Sequence, residues 1–162
     1  MNLLNTVKIG DVAENFKIDD QDYKPVSLSS FKGKKVLLSF HPLAWTKTCS
    51  LQMSSLEKNW ERFEAFSTVP LGISVDSSPC KLAWAKSLDI KKTRLLADFW
   101  PHGAVSQMYG LFDEKEGTSK RANVLVDENC KIAFVKVYPI GQVPDIDEVI
   151  CCLKPPKEGK KL

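Results

Sequence analysis

Cys49 is the side chain of this sequence best placed for nucleophilic chemistry. It falls in Phe40-His41-Pro42-Leu43-Ala44-Trp45-Thr46-Lys47-Thr48-Cys49-Ser50, between an apolar run that reads as a strand and a segment with helical spacing. A cysteine in the first turn of a helix faces backbone N–H groups that have no carbonyl partner, and it sits at the positive end of the helix dipole. Both favour thiolate over thiol, and the thiolate is the nucleophile. Thr46, three residues earlier, brings a hydroxyl within reach of the sulfur or of an oxygen bound there. Pro42 has no N–H and shapes and shields the loop. Taken alone, Cys49 also fits a buried structural cysteine after an ordinary strand-to-helix loop. The spacing Pro-x-x-x-Thr-x-x-Cys between a strand and a helix favours the reactive reading.

The other cysteines are Cys80, Cys130, Cys151 and Cys152. Their irregular spacing, the lack of a Cys-x-x-Cys and the presence of only two histidines argue against a zinc site. No metal or other cofactor is expected. The N-terminus has no basic region followed by a long apolar stretch, so the chain does not read as secreted, and reduced thiols in a cytoplasm are expected. No apolar run approaches the length of a membrane helix. The formal net charge is +3, and the four lysines and one glutamate of 154–162 account for all of it. The body is therefore neutral, without the basic face that a nucleic-acid partner needs.

The elements that must position Cys49 follow from periodicity. Lys35–Phe40 and Val69–Val75 read as buried strands. Cys49, Met53, Leu56, Trp60 and Phe63 share one helical face, with Thr46 or Thr48 as the cap; Trp60 and Trp84 read as core. Ser78-Pro79 resembles an N-cap with proline at the first helical position, opening a helix to Leu88. Arg94–Leu96 is a short strand, and His102–Tyr109 a short helix closed by Gly110. Arg121–Val126 and Lys131–Tyr138 flank the turn Asp127-Glu128-Asn129, and Asp145–Leu153 is a last helix. This order predicts an α/β domain over 1–153, with a mixed central sheet flanked by helices on both faces, and a lysine-rich, disordered tail over 154–162.

Pro42-x-x-x-Thr46-x-x-Cys49 resembles the active-site pattern of the peroxiredoxins. Gly10-Asp11-x-Ala13-x-x-Phe16, Lys32-Gly33-Lys34 and Ser74-Val75-Asp76-Ser77 extend the likeness over residues 8–140. His41–Trp45 and the short C-terminus bring it nearest to the group resembling alkyl hydroperoxide reductase E. The resemblance implies a thioredoxin-like fold and a thiol-dependent peroxidase that reduces hydrogen peroxide and organic hydroperoxides. The Cys49 thiolate would attack the terminal oxygen and become a sulfenic acid, while Thr46 and loop N–H groups hold the peroxide. The family's active-site arginine is best matched by Arg121, which opens a strand after Gly117-Thr118-Ser119-Lys120; an exposed strand-edge arginine is the plainer alternative. Gln52 stands where many relatives carry glutamate, and its amide can still hydrogen-bond.

Cys80 is the candidate resolving thiol. It too sits in a first helical turn, where the dipole would activate it, although joining it to Cys49 would require local unwinding. Cys151-Cys152 would resolve only if the C-terminus reached the site, and without any of these an external thiol must act. The implied partners are a thioredoxin-like or glutaredoxin-like reductant and a second copy in a homodimer. Two rivals remain at this point. A thiol–disulfide oxidoreductase of the same fold would carry Cys-x-x-Cys, which Cys49-Ser50-Leu51-Gln52 lacks. A peroxide-sensing redox switch would need only Cys49.

Overall fold

The computed structural model describes residues 5–154. An antiparallel pair, β1 (Lys17–Asp19) and β2 (Pro25–Ser27), leads through a 3-10 turn at Leu28–Phe31 into β3 (Lys35–Phe40). Helices α1 (Lys47–Lys58) and α2 (Trp60–Glu64) follow, then β4 (Thr68–Ser74), α3 (Ser78–Ser87) and β5 (Arg94–Ala97). Next come α4 (Ala104–Met108), a small pair β6 (Phe112–Asp113) and β7 (Thr118–Ser119), the hairpin β8 (Arg121–Val126) and β9 (Ile132–Tyr138), and α5 (Ile146–Leu153). The central sheet has the order β5-β4-β3-β8-β9. β3 pairs in parallel with β4 and antiparallel with β8.

The sheet is buried on both faces, and the alternation along β3 shows how. Val36, Leu38 and Phe40 join Phe16, Val105 and Tyr109 on the face covered by the N-terminal segment and α4. Leu37 joins Met53, Leu56, Phe63, Trp84 and Val149 on the face covered by α1, α2, α3 and α5. The expected mixed sheet with helices on both faces is thus present, and Cys49 belongs to the four-helix side.

α1 is held at its C-terminal end by Glu57. That carboxylate accepts hydrogen bonds from the Lys91, Lys92 and Thr93 N–H groups and from the Thr93 hydroxyl, at 2.7–3.3 Å. Partial burial works to raise the Glu57 pKa, and these donors outweigh it and hold the group below the ordinary value. The helix carrying Cys49 is thereby tied to the segment that enters β5.

Three expectations need correction, and one strand pair left no sequence signal. The helical face from Cys49 to Phe63 is not continuous: Asn59, at φ −102 and ψ 10, breaks it, and Trp60 is only half-buried while Trp84 is fully buried. The cap of α3 is Ser77, whose hydroxyl accepts from the Cys80 N–H; Ser78 lies inside the helix and donates to the Asp20 carbonyl at 2.8 Å. His102 precedes α4, which starts after Gly103, and its Nε2 bonds the Gly117 carbonyl. The β6–β7 pair has segments too short to leave a periodic signal. The tail expectation, over 154–162, lies outside the described residues apart from Lys154.

Candidate active site

Cys49 is the third residue of α1 and 1% exposed. Thr46 is the N-cap residue by its extended backbone, and the first internal helix bond runs from the Ser50 N–H to the Thr46 carbonyl. The N–H groups ahead of it have no carbonyl one turn back, so they remain available at the sulfur's end of the helix. The Thr46 hydroxyl does not cap the helix. It donates to the Leu43 carbonyl at 2.8 Å, which fixes the loop and leaves its lone pairs as acceptors. Trp45, at φ +70, takes a left-handed conformation in the same loop.

Arg121 reaches Cys49 because β8 runs antiparallel to β3. The pairing Phe40↔Ala122 puts the start of β8 beside the end of β3, where the Cys49 loop begins. Arg121 Nη1 is 3.4 Å from Cys49 Sγ and 2.7 Å from Gln52 Oε1, while Nε and Nη2 donate to the Ile140 carbonyl. The guanidinium is 2% exposed, so it is no strand-edge arginine. Among the described residues no carboxylate pairs with it. A buried cation needs an anion or a full set of hydrogen bonds. The sulfur is the one neighbour bonded to Arg121 that can become an anion.

Gln52 orients this arginine. One turn on from Cys49, its Oε1 accepts from Arg121 while its Nε2 donates to Ser39 Oγ at 2.8 Å and to the Phe40 carbonyl at 3.1 Å. Ser39 Oγ in turn donates to Asn123 Oδ1 at 2.8 Å. The buried network therefore runs from the sulfur across β3 into β8. Because Gln52 is an amide, it adds no competing negative charge.

Asp76 secures the loop from the other side. Its Oδ2 accepts from the Ala44 N–H at 2.9 Å and from Ser74 Oγ at 2.6 Å. Pro42 is half-buried between this anchor and the end of β3.

The model of the AhpC/TSA family matches residues 9–135. The chain belongs to this family, that of the peroxiredoxins. Alkyl hydroperoxide reductase E of Mycobacterium tuberculosis is 38% identical over 140 residues, which is 86% of this chain and 91% of that protein. Peroxiredoxin Bcp of Escherichia coli K12 is 33% identical over 138 residues, covering 82% and 86% of the two chains. The reduced 2-Cys peroxiredoxin of Plasmodium vivax superposes with a TM-score of 0.82 at 30% identity, over 91% of this chain and 80% of that one. The protein is accordingly a thiol-dependent peroxidase with a thioredoxin-like fold.

In this peroxiredoxin, Cys80 is the mirror image of Cys49. It too is the third residue of its helix, but its charged neighbour is an anion: Cys80 Sγ lies 3.8 Å from Asp76 Oδ1. Burial and then the Asp76 carboxylate push its thiol up, and the Trp45 indole and Lys81 do not offset them. At Cys80 the helix dipole is thus met by an adjacent carboxylate, where Cys49 has a guanidinium. Cys130 lies in the β8–β9 turn at φ +59. Cys151 and Cys152 are exposed on α5, and burial of its sulfur, with Cys151 and Glu148 adding, pushes the Cys152 thiol up.

Lys81 and His41 have no assigned role in the sequence analysis. Both are completely buried, with Lys81 Nζ 3.1 Å from His41 Nε2. A lysine on the inner face of a helix was the available signal, since lysine is almost never fully buried without a partner.

Proposed function

We propose that Cys49 is the peroxidatic sulfur of this enzyme and that Cys80 resolves it. The observation that carries the first part is the buried Arg121 guanidinium at 3.4 Å from Cys49 Sγ, with no carboxylate among the described residues paired to it. The thiolate attacks the terminal oxygen of the peroxide, an S–O bond forms as the O–O bond breaks, and Cys49 becomes a sulfenic acid while water or an alcohol leaves. Arg121 and the free N–H groups at the start of α1 hold the oxygens as charge develops, and the Thr46 hydroxyl accepts the peroxide's proton in a hydrogen bond. The low exposure of Cys49 and the Pro42–Ala44 loop keep bulk water from the sulfur. The chemistry serves hydrogen peroxide and organic hydroperoxides alike, since all share the terminal O–OH.

In the second step the Cys80 thiol condenses with the sulfenic acid to a disulfide, releasing water. The first turn of α1 opens to let the sulfurs meet. Cys80 packs against the buried cluster that contains Cys49, which supports their proximity. An external dithiol of thioredoxin-like or glutaredoxin-like type then restores both thiols. Intact mass after one equivalent of hydrogen peroxide tests this step. The wild-type chain should lose about two mass units, and Cys80→Ser should instead gain one or more oxygens. A two-unit loss that persists in Cys80→Ser excludes Cys80 as the resolving thiol.

We further read the chain as a single domain over 1–153 that works as a homodimer in a cytoplasm. Trp45 is 56% exposed and Trp100 81%, with Leu43 and Phe99 also exposed. Phe99 and Trp100 line a groove of about 490 Å³ with Tyr23, Ile18 and Pro79, next to Cys80. Exposed aromatic side chains gathered at a groove are the kind of surface a second copy covers. Sedimentation should show a dimer for the wild-type chain and a monomer for Trp100→Asp. The five unpaired cysteines fit a reducing compartment. Among the described residues no helix is long and apolar enough to cross a membrane.

A further inference from the structure

A lysine and a histidine in contact inside a protein need a reason, because both are bases and both lose solvation on burial. The ammonium of Lys81 and the ring of His41 are 0% exposed and 3.1 Å apart. His41 Nδ1 lies 3.4 Å from the Ser39 carbonyl, which can only accept, so Nδ1 carries the hydrogen and Nε2 is the bare acceptor. Lys81 therefore donates to Nε2, and the hydrogen between them is carried by the lysine. The ammonium also lies 5.7 Å from the Trp84 ring centroid, and among the described residues it forms no ion pair.

The couple is built into the Cys49 pocket. His41 continues β3, its N–H donating to the Ile73 carbonyl, directly after Phe40, whose carbonyl takes the Gln52 amide. Trp84, one turn beyond Lys81, packs against His41 with ring centroids 5.4 Å apart and planes tilted by 42°, and donates to Ser50 Oγ, beside Cys49. Lys81 thus lies between α3 and the end of β3.

We propose that the Lys81 ammonium, fixed by His41 Nε2, is the second cation of the Cys49 pocket after Arg121, and that this positioning residue sets the pH range over which Cys49 reacts. This rests on Cys49 being the peroxidatic sulfur. The carboxylates and sulfurs facing the couple favour the ammonium, and the Arg121 cation acts on the ring. Burial lowers the Lys81 pKa to about 7, while Asp76, Cys49, Cys80 and Asp98 raise it. Burial, Lys81 and Arg121 together hold His41 well below the ordinary histidine value, so the ring stays neutral as an acceptor. The Lys81 amine can change its charge near neutrality. Coupling is reciprocal: a negative sulfur holds the proton on Lys81, and the proton on Lys81 favours the negative sulfur. When Cys49 becomes a neutral sulfenic acid, that hold is lost, and the amine can release its proton. The balanced step is Cys49–S⁻ plus ROOH plus Lys81–NH3⁺ giving Cys49–SOH plus ROH plus Lys81–NH2. Sulfur is oxidised, the peroxide oxygen is reduced, and the proton ends on the leaving alkoxide.

The test is the pH profile of Cys49 alkylation by iodoacetamide, read on the Cys49 peptide, beside the rate of peroxide reduction. Lys81→Met keeps the volume and removes the charge. Its alkylation profile should move up by about one pH unit, and its peroxide rate at pH 7 should fall about tenfold. Lys81→Arg restores a fixed charge and should return the profile to the acid side. His41→Leu removes the acceptor and should move the profile in the same direction as Lys81→Met. It keeps the proposal testable if Lys81→Met does not fold. A profile that is unmoved in a folded Lys81→Met or His41→Leu protein overturns the proposal alone. Peroxide reduction that survives Cys49→Ser overturns the reading beneath it.

Discussion

Replacing Cys49 by serine is expected to lower the rate of peroxide reduction by more than about a thousandfold while leaving the fold intact. An alcohol does not ionise near neutrality, and oxygen is a poor nucleophile toward a peroxide. The site offers no substitute sulfur, because Cys80 lies next to a carboxylate and Cys130, Cys151 and Cys152 lie in a turn or on the exposed face of α5. The structural cost should be small. Serine is slightly smaller than cysteine, and its hydroxyl inherits Arg121 Nη1 as a hydrogen-bond donor at the same position. Stopped-flow consumption of hydrogen peroxide, with circular dichroism as the fold control, gives the answer. Turnover within tenfold of wild type would remove Cys49 from the mechanism.

Arg121→Met should produce the next largest loss, about a hundredfold in the peroxide rate at neutral pH. The guanidinium does two jobs at one place. It balances the negative sulfur, and it offers a fixed donor to a peroxide oxygen lying against that sulfur. Methionine matches its length and removes both. The substitution also strands acceptors, because the Ile140 carbonyl loses both its Arg121 donors and Gln52 Oε1 loses its own. A stability loss of about 1–3 kcal/mol is therefore expected alongside. Arg121→Lys separates the two jobs. A lysine carries the charge but cannot reach Gln52, Ile140 and Cys49 at once, so it should recover part of the rate. The rates are compared on folded protein, below the lowered melting temperature. An Arg121→Met rate equal to wild type would mean that the cation serves only to hold the 140 segment.

The two cysteines at helix starts show what local chemistry leaves undecided. Cys49 and Cys80 occupy the same position in α1 and α3 and feel the same kind of dipole. What differs is the neighbour delivered through space. Arg121 comes to Cys49 from a strand 72 residues away in sequence, and Asp76 comes to Cys80 from the preceding loop. Helix-start reasoning alone treated the two thiols alike, and the charges beside them separate them.

Much of the architecture is readable from period and punctuation. The apolar run of β3, the hairpin turn at Asp127-Glu128-Asn129, the acidic start of α5 and the glycine after α4 are local signals, and the elements lie where those signals put them. The motif around Cys49 is local as well, since Pro42, Thr46 and Cys49 lie within one loop and one helical turn. Tertiary structure decided what lies beside that loop. The antiparallel register of β8 on β3 carries Arg121 to the sulfur, and no short-range pattern encodes a register between strands so far apart in sequence. Packing α3 against the end of β3 buries Lys81 on His41, where sequence shows only an ordinary lysine on a helix. The sequence by itself determined that this chain carries a cysteine primed by a helix terminus. Only the folded sheet decided which charges surround that cysteine, because charge acts through distance in space and a low-dielectric interior, and neither exists until the chain has packed.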